Sequence, residues 1–480
     1  MKRNFINISV LLFLWFCFSA QLWATPHYEL PSPGKGKGEF IENSIAYRKI
    51  RNNNNEVSVI WTNCNNIIPS TVSHLDTTYS VVGIDRIRYH NCRLRPDSIF
   101  LPNSIRWIGA WAFSNSQNLK YVSIPDSITS IGLCALENTG ISSVFIPHNL
   151  TDIGEKAFRG TNNLEFFQVD SLNPIYTTED GVLYNKSKTT LIAYPAARKV
   201  ALFQIPDGVT HIAENAFQSA QIDSLFIPNS VICIGGAAFF NSKLSHVVLP
   251  ENIKEIKPIT FSRCVNLRNI IIPNTVRTIE RSAFEGCISL DTIQISDNVI
   301  SIGFESFHYT AWYNSQEGQV LYLGKVLYEY NEKGFFEIGK GYKTKMLPKT
   351  RITVPEGVHS ISHAAFRGCI GLVKITLPQS LEYIGEYVFE GCENLRSINV
   401  YWQDPSFLRD RIFVPKNCKL IVPKGTKEKY QQLEAWKNFK IVEKNEKRKI
   451  CKHYLQQWKK QSKKYTNSFI IKPSLLPIKN

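Results

Sequence analysis

Between Leu225 and Val299 the chain repeats itself three times: LFIPNSVICIGGAAFFNSKLSHVV, LPENIKEIKPITFSRCVNLRNII and IPNTVRTIERSAFEGCISLDTIQI. A fixed period of this length is the signature of a stacked repeat array, and it constrains the fold more than any other feature of the sequence. The prolines that end each apolar run set the period. Pro102 to Pro125 is 23 residues, Pro125 to Pro147 is 22, Pro206 to Pro228 and Pro228 to Pro250 are 22, and Pro250 to Pro273 and Pro355 to Pro378 are 23. Two intervals are longer by the same amount. Pro147 to Pro206 is 59, and Ser296, which stands where the next proline would, is 59 residues before Pro355.

Each unit reads physically in the same way. In Leu119-Lys120-Tyr121-Val122-Ser123-Ile124-Pro125 apolar and polar residues alternate, as in a half-buried strand. Proline ends the strand because it cannot donate to a ladder. Asn103, Asp126, Asp207, Asn229 or Asn274 follows, residue types whose side chains bond nearby backbone in turns. A short apolar return then leads into Ala112-Phe113, Ala157-Phe158, Ala216-Phe217, Ala283-Phe284 or Ala365-Phe366, read as one turn of helix or 3₁₀ structure. One such unit cannot bury its own apolar face, whereas stacked neighbours can. The expected fold class is therefore an α/β repeat solenoid, with a strand and a short helical turn in every 22–23 residues.

The segments Ile124-Pro125-Asp126-Ser127-Ile128-Thr129-Ser130-Ile131-Gly132 and Ala283-Phe284-Glu285-Gly286-Cys287 resemble the BspA-like branch of leucine-rich repeat proteins, over about residues 65 to 443. That resemblance implies a leucine-rich repeat solenoid that works as a surface binding or adhesion protein. It does not identify the partner, because fold does not settle function.

In chain order, residues 1–24 read as a secretory signal, with Lys2 and Arg3 ahead of an apolar run from Ile8 to Ala20. That run is shorter than the roughly 20 residues of a spanning helix. Residues 25–38 suit a linker and 39–95 an N-terminal β cap over the first repeat. The solenoid is expected over 96–400, with inserts at about 168–203 and 308–350. The first insert holds Asp180–Pro195 and the second Val320–Tyr330, each two alternating runs around a polar centre, as in a β-hairpin. Residues 401–443 resemble a closing cap with a strand, a short helix and an aromatic plug, and 444–480 form a basic tail.

The tail holds +10 of the chain's formal charge of +16, and Lys2 and Arg3 another +2, so the body is close to neutral. No nucleic-acid module accompanies the basic residues, which argues against specific nucleic-acid binding. Lys447, Arg448, Lys449, Lys459 and Lys460 belong either to a solvated tail or to a short basic amphipathic helix on an anionic surface.

Chemistry-bearing motifs are sparse. Cys264 to Cys287 and Cys369 to Cys392 are each 23 apart, so these cysteines follow the repeat and read as buried thiols. His359 and His363 fall at variable, surface-type positions of the template. No nucleophile elbow, phosphate loop or metal-protease motif is found, so neither enzyme nor cofactor, metal site or small-molecule substrate is expected. The repeat offers instead an outward ladder, two residues before each strand-ending proline: Phe100, Ser123, Phe145, Gln204, Phe226, Val248, Ile271, Gln294, Thr353 and Thr376. Phe226, Val248 and Ile271 are consecutive and apolar, and with Phe145 they are the candidate partner-binding residues, unless an insert or a neighbouring chain covers them. The reading is a secreted or cell-surface, non-catalytic protein that recognises a protein of the host matrix or of another cell's surface. The alternative is a structural envelope protein held to an anionic surface by its tail.

Overall fold

The computed structural model describes residues 38–50, 55–62, 66–85, 96–316, 319–330, 349–407, 417–436 and 439–444. Residues 1–24, read above as a secretory signal, and the tail beyond Lys444 lie outside them. The chain forms a solenoid of stacked coils. On one face each coil carries a strand of three to five residues, as in Ser98–Phe100, Tyr121–Ser123, Ile222–Phe226 and Leu372–Thr376. On a second face it carries a two-residue strand, as in Ser130–Ile131 or Thr278–Ile279. Both kinds pair in parallel with their equivalents in neighbouring coils.

The turn after each proline forms as its sequence suggests, but its polar side chains reach further than expected. Amides of Ile128, Val231 and Val276 donate to the carbonyls of Pro125, Pro228 and Pro273, three residues back. Asn229 Oδ1 accepts from the Glu251 amide, and Asn252 Nδ2 donates to the Asn229 carbonyl, so these side chains join one coil to the next.

The Ala-Phe segments are not helical. Ser282 and Gly286, on either side of Ala283-Phe284, have φ of 55° and 73°, and the same pair of left-handed residues four apart recurs at Trp111 and Asn115, Ala237 and Asn241, and Ala364 and Gly368. A right-handed helix cannot pass through such residues. The alternation turns every second amide outwards. Ser282, Phe284 and Gly286 donate to the carbonyls of Phe304, Ser306 and His308 in the next coil at 3.0, 2.8 and 2.9 Å, while Glu285 and Cys287 donate three residues back within their own coil. Stacking thus replaces the helix with a third inter-coil ladder. Among the described residues, helices occur at Ala311–Asn314 in the second insert and Lys427–Gln431 near the C-terminal end, with a 3₁₀ turn at Glu434–Trp436.

The phenylalanine of each segment points inward. Phe217, Phe239, Phe261, Phe284 and Phe307 are fully buried and stack with centroids 5.3, 4.9, 5.2 and 5.2 Å apart. The strand repeat of about 4.8 Å brings the rings this close. The buried apolar side chains nevertheless form three groups, within residues 40–183, 182–328 and 327–439, which divide at the two inserts.

Each insert is β-structured. In the first, Val182–Asn185 pairs antiparallel with both Tyr176–Glu179 and Thr190–Ala193; in the second, Val320–Leu323 pairs antiparallel with Val326–Tyr330. In the second, Tyr328 Oη accepts from the Phe307 amide at 2.9 Å, and His308 Nε2 lies 2.7 Å from Glu329 Oε2. At the N-terminal end, Glu39–Glu42, Ile45–Lys49 and Glu56–Thr62 form an antiparallel sheet, continued in parallel by Thr77–Ile84 and then Trp107–Ile108. At the other end Trp402, Tyr430 and Trp436 pack together under the strands Lys419–Pro423 and Lys440–Lys444.

Two predictions follow from this packing. A Cβ on Gly385 would meet the His363 backbone nitrogen at 2.5 Å and its Cα at 2.7 Å, whereas one on Gly286 would come no nearer to any neighbour than 3.4 Å, at the Arg263 side chain. Gly385→Ala should destabilise by about 1–3 kcal/mol through overpacking, and Gly286→Ala by about 1 kcal/mol through its left-handed backbone, read as loss of thermal stability. Burial works against protonation of His308, but the bond to Glu329 and the nearby carboxylates outweigh it and raise its pKa. Its stabilising contribution is therefore complete below the unfolded histidine value of about 6.5 and is lost as pH rises through the raised folded value. Thermal melts should show this alkaline loss in the native chain and a smaller one in Glu329→Gln; equal pH profiles would contradict it.

Candidate functional site

The outward position of the longer strands is fixed by alternation. In Ile222–Phe226 the side chain of Leu225 enters the core, so Phe226 must face away. Gln204, Phe226 and Val248 are register partners across three coils, and Ile271 occupies the same position on the next strand, paired with Gln294 beyond it. Phe226, Val248 and Ile271 are 47, 67 and 60 % exposed, so neither insert covers them within this chain.

A parallel row lies two residues earlier on the same strands: Leu202, Ser224, His246, Asn269 and Thr292. From the first insert to the second, these two rows contain no Asp, Glu, Lys or Arg. The result is an uncharged surface with an aliphatic and aromatic centre and a rim of Gln, Ser, Asn and Thr. Leu202, 53 % exposed, extends it.

Phe145 does not join this row. Its register partner is Gln168, on the strand Phe166–Val169, and it belongs to a separate patch with Phe100, Tyr121 and Phe166. Phe100 and Tyr121 lie 6.0 Å apart, and a shallow depression of about 480 Å³ lies along Tyr121, Ser123, Phe145 and Phe166. Reading only the position two before each proline missed Tyr121, Phe166 and Leu202. Period-2 alternation would have found them, since they stand on the same strand face.

The remaining sequence candidates are placed elsewhere. His363 is half-buried between coils, with Nε2 3.1 Å from Ser301 Oγ and 2.9 Å from Tyr383 Oη, and Nδ1 accepting from the Glu386 amide. This differs from the surface-type position read from the template. His359 lies 4.0 Å from Glu382 instead, so the two rings serve different partners. No group of three or more His, Cys, Asp or Glu that could hold a metal occurs among the described residues.

No disulfide joins the described cysteines. Cys264, Cys287 and Cys392 donate to the carbonyls of Phe239, Phe261 and Phe366 in the preceding coil at 3.1, 3.0 and 2.9 Å. Burial pushes the Cys287 thiol well above its usual range, with neighbouring Cys264 adding to the shift, and burial raises Cys418 to about 12. These thiols act as packed weak donors rather than nucleophiles. Lys447, Arg448, Lys449, Lys459 and Lys460 lie outside the described residues, among which no helix is long and apolar enough to cross a membrane.

Comparison with known proteins bears on this architecture. A leucine-rich cell surface protein from Faecalibacterium prausnitzii is similar at 24 % identity over 56 % of this chain and 92 % of its own, with a TM-score of 0.43. The pneumococcal vaccine antigen PcpA is similar at 17 % identity over 87 % of this chain and 100 % of its own, with a TM-score of 0.37. A leucine-rich repeat protein from Eubacterium ventriosum is similar at 18 % identity over 59 % of this chain and 96 % of its own, with a TM-score of 0.41. No curated protein matches the chain in sequence. The family model for the BspA type leucine rich repeat region matches in 6 copies, over residues 82–201, 193–313 and 339–429. With more than half its length matched in this way, the chain belongs to the BspA-type leucine-rich repeat family.

Proposed function

We propose that the chain is a non-catalytic, adhesin-like binding protein of the cell surface or its surroundings, and that it recognises a protein partner through the row Phe226, Val248 and Ile271. The observation that carries this reading is that the row is apolar, consecutive, exposed and free of formal charge. On a surface-facing strand, solvent alone gives no advantage to Phe, Val and Ile over Thr or Ser, and an exposed apolar cluster with a polar rim matches the anatomy of a protein interface. The absence of charge from both rows favours a protein partner over an anionic surface. The patch around Phe100, Tyr121, Phe145 and Phe166 is a second contact region on the same protein. A secretory signal at residues 1–24 would deliver the chain to this setting.

The test is capture from host-matrix and envelope extracts by the full chain, followed by affinity measurement on the captured protein. Phe226→Ser with Ile271→Ser should weaken binding at least tenfold, about 1.4 kcal/mol or more, with an unchanged melting temperature. Deletion of residues 444–480 and addition of salt should leave affinity unchanged. Undiminished affinity in the folded double variant would remove this surface. Loss on tail deletion or in high salt would point to charge as the binding agent.

A further inference from the structure

The third inter-coil ladder is interrupted at the first insert. In an ordinary coil the amides two before, at and two after the inward phenylalanine donate to the next coil. At Phe158 these are the amides of Lys156, Phe158 and Gly160, and none has a hydrogen-bond partner among the described residues. The coil beyond the insert presents the complementary carbonyls of Glu214, Ala216 and Gln218. Only that of Ala216 is occupied, by the Tyr194 amide at 2.7 Å. The insert supplies the strand Thr190–Ala193 at the return-strand position beside His211–Ile212, but the ladder turn that would follow it is not formed.

Both ends of the gap are tied. The Ile153 amide donates to Tyr176 Oη at 3.0 Å, and the Ala197 amide to the Leu164 carbonyl at 2.8 Å. Between them lies a cleft of about 350 Å³, lined by Phe158, Phe167, Ile192, Ala193, Tyr194 and Ala213. Lys156 reaches across to Glu214, 3.2 Å away. Two polar side-chain atoms at the cleft also lack partners: the hydroxyl of Tyr194, whose residue is 4 % exposed, and Gln218 Oε1. Buried polar groups are rarely left unpaired.

The second insert meets the same segment with side chains that the first insert lacks. Register places Leu191 opposite Ile212 and Leu327 opposite Ile361, so Ile192 and Ala193 stand where the second insert has Tyr328 and Glu329. There the Tyr328 hydroxyl accepts the Phe307 amide and Glu329 holds His308. Ile192 and Ala193 can do neither. Arg159, the counterpart of His308, turns back to Glu137.

We propose that this cleft is a binding site for a short peptide segment of a partner protein, which supplies the missing turn of the stack. One wall offers donors only and the other acceptors only. A simple anion would satisfy the first and leave the second. An ordinary β-strand presents donors and acceptors alternately along each edge and would mismatch half of each. A peptide in the conformation of the coils themselves turns alternate amides to one side, as at Ser282, Phe284 and Gly286, and the carbonyls between them to the other, as at Arg281, Ala283 and Glu285. Such a segment places left-handed residues four apart, as the coils do at Ser282 and Gly286, positions that Gly or Asn takes at least cost. It also needs a small residue at its centre, because the Tyr194 ring already fills the aromatic slot, stacked 5.0 Å from Phe217. The site is separate from the outward sheet face and does not depend on that face being an interface.

The experiment uses the full chain and two labelled probes: acetyl-Arg-Ser-Ala-Ala-Glu-Gly-amide, which is the Arg281–Gly286 sequence with alanine at its fourth position, and the same peptide with phenylalanine there. Amide exchange at Lys156, Phe158 and Gly160 should be fast in the free chain and slow at least tenfold on saturation with the alanine probe. The alanine probe should bind more tightly than the phenylalanine probe. Ile192→Tyr with Ala193→Glu, which installs the closing pair of the second insert, should weaken it at least tenfold. Equal affinity for the folded variant, no binding by either probe, or slow exchange at the three amides before any peptide is added would each overturn the proposal. If the double variant fails to fold, the exchange measurement on the native chain decides alone.

Discussion

Every coil of this protein has two edges, and the structure depends on a neighbouring coil to satisfy both. Backbone donors and acceptors that lose water must be paired. Three parallel ladders do this at once: the longer strands, the two-residue strands and the alternating turn around Ala-Phe. The apolar interior follows from that stacking, since a repeat of about 4.8 Å places the rings from Phe217 to Phe307 against one another and the thiols of Cys264, Cys287 and Cys392 against carbonyls of the coil before. Gly109, Gly132, Gly154, Gly235, Gly303 and Gly385, each directly after a return strand, belong to the same constraint. At Gly385 the preceding coil approaches so closely that no Cβ fits without movement.

Stability in such an array is local, because each coil touches only its neighbours. The inserts matter for this reason. Each replaces one turn of the stack, and the buried apolar residues separate into groups where they do so. The sequence treats the two as equivalent in length and position, yet a difference of two residues changes their chemistry. Tyr328 and Glu329 bond the Phe307 amide and His308 at one, whereas Ile192 and Ala193 give the Phe158 segment no such partners at the other.

Much of the architecture was readable from proline spacing and apolar alternation. The spacing set the repeat, the alternation set which side chains face outward, and the composition after each proline set the turns. The helical turn was misread because Ile-x-x-x-Ala-Phe also has helical spacing, and the deciding term is inter-coil bonding, which no single repeat displays. Left-handed residues as unlike as Trp111, Ala237 and Ile259 carry no compositional mark. The binding surface was half legible: Phe226, Val248 and Ile271 fall on one column, whereas Phe145 was grouped with them because the strand bearing Gln168 lies inside the insert. The cleft was not legible at all, since it consists of backbone groups whose partners are missing.

The central functional claim is that the uncharged sheet face makes the contact with a protein partner. Hydroxyl-radical footprinting of the full chain, free and bound to the protein it captures, tests this most directly because it reads the contact without altering the surface. The account predicts protection at Phe226, Val248 and Ile271, with little change on the far side of the coils. Undiminished labelling of these three residues in the complex, with protection elsewhere, would contradict it.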